Sequence, residues 1–259
     1  MKPDFYGPEH AEKFKHRSMA ESYQYRPPYS EEVLTTLLEL LADKPRIVLD
    51  VGCGTGKIAR NLVENVDRVD AIDFSEDMID VGRTLPNGKH PGIHWIRGPA
   101  ETVKLSPPYG LTVAGASLHW LDWSVVFPRF KESMVPDGYI CIVDGDTPLD
   151  PPWRKAEIEI IRKYSTNQKF DPSYDFVREL VDYGLFKPVG AKKTEPVMFK
   201  QSIDDYIASF HSRESLCREA MGKTRANNFD NELRKILLPY SKRSQITFKV
   251  STGMRWGLP

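Results

Sequence analysis

The sequence predicts an α/β protein built on a doubly wound, mostly parallel sheet with an antiparallel last strand and a helical lid. Three observations carry that prediction. Short apolar runs alternate with helix-compatible stretches between residues 47 and 143, a glycine-rich turn follows the first of those runs, and the pattern loosens into polar helical stretches beyond residue 145. Short apolar strands separated by helices require cover on both faces, which crossover helices supply to a parallel sheet.

The elements follow in order. Residues 8 to 24 are polar and helix-permissive, and Tyr25-Arg26-Pro27-Pro28-Tyr29 ends them, because proline fixes φ and drives its predecessor toward extended backbone. Ser30 then caps a helix with Glu31 and Glu32 in its first turn and Val33, Leu34, Leu37, Leu38, Leu40 and Leu41 on its apolar face. Strands are expected at 47–51, 69–73, 93–96, 111–116 and 139–143, with helices at 57–66, 76–84 and 122–134 between them. This is a Rossmann-like core. Farther on, helices are expected at 153–165, 173–183, 202–220 and 229–238, and strands at Pro196 to Lys200 and Gln245 to Gly253. The strands are expected to complete the sheet and the helices to form the lid. The predicted organisation is an N-terminal lid segment (1–29), a ligand-binding core (30–145) and a region of sheet completion with an inserted helical substrate cap (146–259).

Composition narrows the partners. The 259 residues include 36 Lys and Arg against 36 Asp and Glu, so there is no basic excess of the kind that neutralises a nucleic-acid backbone. Hydrophobic residues at 40% and charged residues at 28% belong to a folded chain rather than a disordered one. Cys53, Cys141 and Cys217 are far apart and form no CxxC pair, which fits a reducing compartment. No apolar run reaches membrane-spanning length, and the stretch MKPDFYGPEHAEKFKHRS has no apolar signal region, so a cytoplasmic protein without membrane or nucleic-acid partners is expected. His90 and His94 have the spacing of a helical metal pair, but Pro91-Gly92 prevents that helix, and no metal site is expected.

The stretch Val48-Leu49-Asp50-Val51-Gly52-Cys53-Gly54-Thr55-Gly56-Lys57 is the most informative. Ligands of open α/β sheets bind beyond the carboxyl ends of the strands, and glycines in the first turn let a ligand approach the backbone where a Cβ would collide. A dinucleotide turn reads GxGxxG, but counting from Gly52 and Gly54 the third position is Lys57, with Gly56 one residue early. A Walker phosphate loop fails as well, since Ile58 stands where Ser or Thr must hold magnesium.

The segment DVGCGTG resembles motif I of the Rossmann-like S-adenosylmethionine-dependent methyltransferases. Further segments match in order: Asp73, 23 residues after Asp50, followed by Phe74-Ser75-Glu76-Asp77-Met78; Gly98-Pro99-Ala100-Glu101, similar to the family's G-D-A-E but with Pro99 for the usual acid; and Ser117-Leu118-His119-Trp120-Leu121-Asp122-Trp123, similar to the His-Trp segment of small-molecule methyltransferases of the trans-aconitate methyltransferase type. The resemblance spans roughly residues 20 to 145, with a weaker match at Arg255-Trp256-Gly257. It implies S-adenosylmethionine as cofactor, held by Arg26, Asp50, Gly52, Cys53, Gly54, Gly56, Asp73, Phe74, Met78, Ala100, Glu101 and Ser117. In that reading Asp73 accepts from the ribose hydroxyls, Arg26 meets the cofactor carboxylate, His119 is a catalytic base, and Tyr25, Trp120 and Trp123 wall the acceptor pocket. Bland readings compete: Asp73 as a helix N-cap, Met78, Trp120 and Trp123 as core, His119 as a structural histidine and Arg26 as a surface ion-pair partner.

The function so implied is methyl transfer from S-adenosylmethionine to a small-molecule acceptor, with O-methylation of a carboxylate or hydroxyl favoured, by a monomer or a homodimer. A non-catalytic S-adenosylmethionine-binding module and an NAD-dependent oxidoreductase are the alternatives, the latter disfavoured by Lys57. Ser106-Pro107-Pro108-Tyr109 matches the tetrapeptide of DNA amino-methyltransferases, but it precedes the fourth strand instead of following it.

Overall fold

A computed structural model describes residues 3–41, 43–145, 147–171 and 173–259. The strands, in chain order, are β1 (Ile47–Val51), β2 (Arg68–Asp73), β3 (Ile93–Arg97), β4 (Tyr109–Gly115), β5 (Met134–Val143), β6 (Thr147–Leu149), β7 (Lys187–Lys193), β8 (Val197–Ser202), β9 (Gln245–Ser251) and β10 (Gly253–Leu258). They fall into two compact units. One comprises residues 29–145, 173–194 and 252–259; the other comprises residues 3–28, 147–171 and 195–251.

The first unit is a seven-stranded sheet in the order β3-β2-β1-β4-β5-β10-β7. Strands β1 to β5 pair in parallel, and β10 runs antiparallel between β5 and β7. Alternate residues of each strand enter opposite cores, as the two-residue period requires. Val48, Val69, Ala71 and Val113 pack with Val33, Leu37, Ile58, Ala59 and Leu62 on one face. Leu49, Val51, Ile72, Ala114 and Ile140 pack with Trp123, Val126, Phe127, Phe130, Val177 and Leu180 on the other. This is the Rossmann-like layering expected, with the antiparallel strand in place. Its carboxyl-terminal sheet edge is where the glycine loop emerges.

Two expected strands do not complete this sheet. The segments at 196–200 and 245–253 form β8 and β9, which pair with each other and with β6 in a separate antiparallel sheet of order β6-β9-β8. Their inward Phe248, Ile246 and Val250, with Phe199 against them, pack with Trp153, Tyr206, Phe210 and Phe229 in the core of the second unit. The large sheet is finished by β10, which begins at Gly253, and by β7, Lys-Pro-Val-Gly-Ala-Lys-Lys, an edge strand too polar to read as one. Trp256 of β10 lies so close over Gly190 of β7 that a Cβ there would overlap its ring.

The second unit carries most of the remaining helices, Arg17–Tyr23, Arg154–Tyr164, Ile203–Phe210 and Lys223–Leu237 among them. The expected helix 202–220 is broken by the turn Glu214–Leu216 and ends at Gly222, whose φ is +76°; the expected 229–238 begins earlier, at Lys223. In its core the fully buried Glu157 accepts from the Tyr206 hydroxyl and, at 2.5 Å, from Arg154 Nη1, so the buried carboxylate is both paired and hydrogen-bonded. No helix among the described residues is long and apolar enough to cross a membrane.

Candidate cofactor and acceptor site

Beyond Val51 the chain turns through Gly52, Gly54 and Gly56, with φ of +64°, +55° and +74°. That left-handed region is cheap only for glycine. Space demands it as well: a Cβ on Gly52 would stand 2.5 Å from Ser117 Cβ, and one on Gly56 would stand 2.5 Å from Trp95 Cη2. Helical geometry therefore begins only at Ala59, where the expected helix 57–66 shortens to Ala59–Leu62 and a 3-10 turn at Val63–Asn65.

Two buried carboxylates clasp the loop. Asp50 Oδ2 accepts from the Ala59 amide at 3.1 Å, and Asp73 accepts from Gly54 N at Oδ2 and from Ser75 N at Oδ1, both at 2.8 Å. Asp50 is 2% exposed and Asp73 6%. Burial pushes the Asp50 carboxyl up to about 7; the Ala59 N–H opposes that rise and the nearby Asp73 charge adds to it. Burial likewise lifts Asp73 to about 6 against the pull of the Ser75 and Gly54 amides. The Cys53 thiol, buried beside both acids, is raised well above its ordinary range by desolvation first and by their charges second.

Asp73 is not the cap of the following helix. Ser75 takes that place, its hydroxyl accepting from Met78 N at 3.3 Å, which leaves the Asp73 carboxylate facing the loop. Met78 is 1% exposed, Phe74 is half-buried and Ala100 packs into the core beside Leu49 and Ile72. Glu101 Oε1 accepts from the backbone amide of Asp122 at 2.9 Å.

The segment after β4 forms an arch. Ala116, at φ +52°, turns the chain, and Ser117 Oγ donates to Val51 O at 2.5 Å, so the arch starts against the end of β1. His119 and Trp120 form its crown, with ring centroids 4.6 Å apart and Phe176 5.7 Å from His119. Asp122 closes the arch as N-cap of the helix Trp123–Ser133. Trp123 faces the core: it is 5% exposed, its indole N–H donates to Leu118 O at 2.8 Å, and it stacks on Phe176. Trp120, the other indole expected to line the acceptor pocket, is half-buried.

Tyr25 and Arg26 belong to the second unit. There Arg26 Nε and Nη2 donate to the hydroxyl and carbonyl of Ser212, both at 2.7 Å, and its guanidinium lies over the Tyr23 ring. These bonds fasten the Tyr-Arg-Pro segment within its own unit. Residues not expected from the sequence also enter the site. Phe176 reaches His119 from 57 positions downstream, and Tyr29 places its hydroxyl 3.1 Å from where a Cβ on Gly115 would lie. Neither belongs to a local pattern. The Ser106-Pro107-Pro108-Tyr109 stretch starts β4, at the opposite end of the sheet, where the Tyr109 hydroxyl donates to Asp70 at 2.6 Å and accepts from Ser106 N. His94 lies 3.2 Å from Asp70 there, and no group of three or more His, Cys, Asp or Glu gathers among the described residues.

The loop fits a nucleoside. Two buried carboxyl groups beside left-handed glycines suit hydroxyl donors, and the buried Thr55 Oγ1 has no hydrogen-bond partner among the described residues.

Comparison with known proteins agrees. Residues 48–138 match a family described as Methyltransferase domain. A malonyl-[acyl-carrier protein] O-methyltransferase of Halalkalibacterium halodurans is 35% identical over 86 residues, 31% of this chain and 31% of that enzyme, so the aligned stretch spans under a third of the relative's length. An enzyme of the same description from Acetivibrio thermocellus is 24% identical over 225 residues, covering 84% of this chain and 78% of its own. The solved structure of a putative type II methyltransferase from Anaeromyxobacter dehalogenans shares the fold, with a TM-score of 0.63 at 22% identity over 90% of this chain and 99% of that one. The matched residues hold the glycine loop, the end of β2 and the arch after β4, and the chain accordingly carries a Rossmann-like, S-adenosylmethionine-dependent methyltransferase domain.

Proposed function

We propose that the protein methylates an oxygen of a small-molecule acceptor, a carboxylate or a hydroxyl. The observation that carries this reading is the placement of the His119–Trp120 arch beside the glycine loop: a Cβ on Gly52 would strike Ser117, the first residue of the arch, so the cofactor loop and the arch are in contact. The O-methyltransferase descriptions of the two aligned relatives support the choice of oxygen. The likeness of the His-Trp segment to trans-aconitate methyltransferases supports an acid as acceptor.

In this reading the bound cofactor supplies an electrophilic sulfonium methyl group. The protein's part is placement. Gly52, Cys53, Gly54 and Gly56 offer an open backbone to the cofactor, and Asp50 holds the loop in shape through Ala59. Asp73 has lone pairs left on both oxygens after binding Gly54 and Ser75, enough to accept from two adjacent ribose hydroxyls. Phe74, Met78 and Ala100 bound the adenine side, and Ser117 sets the start of the arch. Trp120 and Phe176 form an aromatic wall that excludes water from the acceptor, and orientation of this kind supplies on the order of 7–11 kcal/mol. A carboxylate acceptor requires no base. For a hydroxyl, His119 takes the proton. Arg26 is committed to Ser212 within its own unit.

The test is incubation with cofactor labelled in the methyl group and panels of carboxylic acids and alcohols. Label released as methanol by mild alkali identifies a methyl ester, and label stable to alkali identifies an ether. Tight cofactor binding with no transfer to any acceptor, including those in a small-molecule extract, would leave a binding module and refute the reading.

A further inference from the structure

We infer that Glu101 is a positioning residue that latches the arch carrying His119 and Trp120, and not a ligand of the cofactor's adenine. The inference rests on the methyltransferase reading for its functional meaning, while its structural content stands apart from it.

The arch begins under strain. Ala116 occupies the left-handed region at φ +52°, a conformation that side-chain-bearing residues keep only when their surroundings over-determine it. Two anchors do so. At the front, Ser117 Oγ is tied to Val51 O, at the end of β1. At the rear, the backbone amide of Asp122 is held by Glu101 Oε1 at 2.9 Å, from 21 residues upstream.

The rear anchor answers a specific deficiency. Asp122 is the N-cap of Trp123–Ser133, and its side chain serves the helix by accepting from Ser124 N at 3.0 Å and from Ser124 Oγ at 2.6 Å. In a capping box the residue three places into the helix is Glu or Gln, and it reaches back to the N-cap's own amide. Here that residue is Val125, which cannot accept. Glu101 supplies the missing acceptor from the loop after β3, and a carboxylate beside a helix N-terminus is favoured by the helix dipole as well. The loop is itself firm, with Thr102 N and Val103 N both donating to Pro99 O and Ala100 buried. Between the two anchors Trp120 N donates to Ser117 O and Leu121 N to Leu118 O, so fixing both ends sets the position of the crown.

The experiment compares Glu101→Ala with Glu101→Gln. Glutamine keeps an acceptor oxygen at the same reach; alanine removes it. Protein labelled with 5-fluorotryptophan, with the Trp120 resonance identified by Trp120→Phe, reports the order of the arch without any turnover. Expected for Glu101→Ala are a shifted or broadened Trp120 resonance, a dissociation constant for S-adenosylhomocysteine within threefold of the unaltered protein, and a kcat at least tenfold lower. Glu101→Gln should restore resonance and kcat to within threefold. An unchanged Trp120 resonance in Glu101→Ala overturns the latch. So does a loss of cofactor affinity above tenfold with kcat retained, which would return Glu101 to the adenine, or a Glu101→Gln variant as impaired as Glu101→Ala. If the unaltered protein transfers no methyl group, the functional reading fails, while the fluorine spectra still decide the latch.

Discussion

Asp73 Oδ2 accepts the backbone amide of Gly54 at 2.8 Å, so the carboxylate that ends β2 is bonded to the middle glycine of the loop that follows β1. One residue thus shapes the loop, and in the proposed reading its remaining lone pairs serve the cofactor's ribose. Removing it has two effects at once. Asp73→Ala should weaken S-adenosylmethionine binding by roughly 10- to 150-fold in calorimetry, the range of one charge-assisted hydrogen bond at about 1.5–3 kcal/mol. Unchanged affinity would displace the cofactor from this loop.

Cofactor stabilisation should depend on pH. Burial holds Asp50 near 7 and Asp73 near 6, above the ordinary 3.8. Between about pH 4 and 7 the folded chain therefore binds more protons than the unfolded one, and these two groups make stability fall as pH rises through that window. A cationic ligand bearing hydroxyl donors favours the ionised carboxylates. The rise in Tm given by S-adenosylmethionine should accordingly be larger at pH 8 than at pH 5.5, and Asp73→Asn should flatten the difference. A shift independent of pH in the unaltered protein would contradict this assignment.

The Gly56 and Trp95 positions should be energetically coupled, because a Cβ on Gly56 would lie 2.5 Å from the indole. Gly56→Ala is expected to cost about 2–4 kcal/mol, from overpacking and from a left-handed φ of +74° together. In a Trp95→Phe background the added cost should drop to about 1–2 kcal/mol, the part that belongs to the backbone. Denaturant titration of the four variants closes the cycle.

The two indoles of the arch region should separate cleanly. Trp123, buried and bonded to Leu118 O, is a core residue, and Trp123→Ala should cost roughly 3–5 kcal/mol of stability. Trp120→Leu should leave the melting temperature within a few degrees while lowering kcat/KM for the acceptor by tenfold or more. The reverse pattern would exchange their roles.

His119→Ala should distinguish acceptors by whether they carry a proton. With a carboxylate acceptor kcat should change by less than about threefold, and with a hydroxyl acceptor it should fall by about 10²-fold, the usual contribution of a positioned base. Equal losses with both would make His119 a structural part of the arch.

The layered sheet was legible from residues 47 to 143 because strand period and glycine geometry are local properties. Val48 and Leu49 enter opposite cores as adjacent strand residues must, and the three glycines of the loop all take positive φ. Beyond residue 145 the same rules misled. The segments at 196–200 and 245–253 are strands, but their apolar sides belong to another core, whereas β7 joins the large sheet with almost no apolar signature. An edge strand is held by backbone hydrogen bonds to one neighbour and needs no alternation of side chains.

By itself the sequence determined the order of strands and helices through the core, the glycine turn, and the acid at the end of β2, since each follows from constraints within a few residues. Tertiary structure alone decided that Glu101 serves Asp122, that Phe176 backs His119, that Trp123 turns inward and Trp120 does not, and that Arg26 answers Ser212. Those choices join groups 5 to 186 positions apart, and which donor meets which acceptor at such separations depends on how folded faces come together rather than on any pattern along the chain.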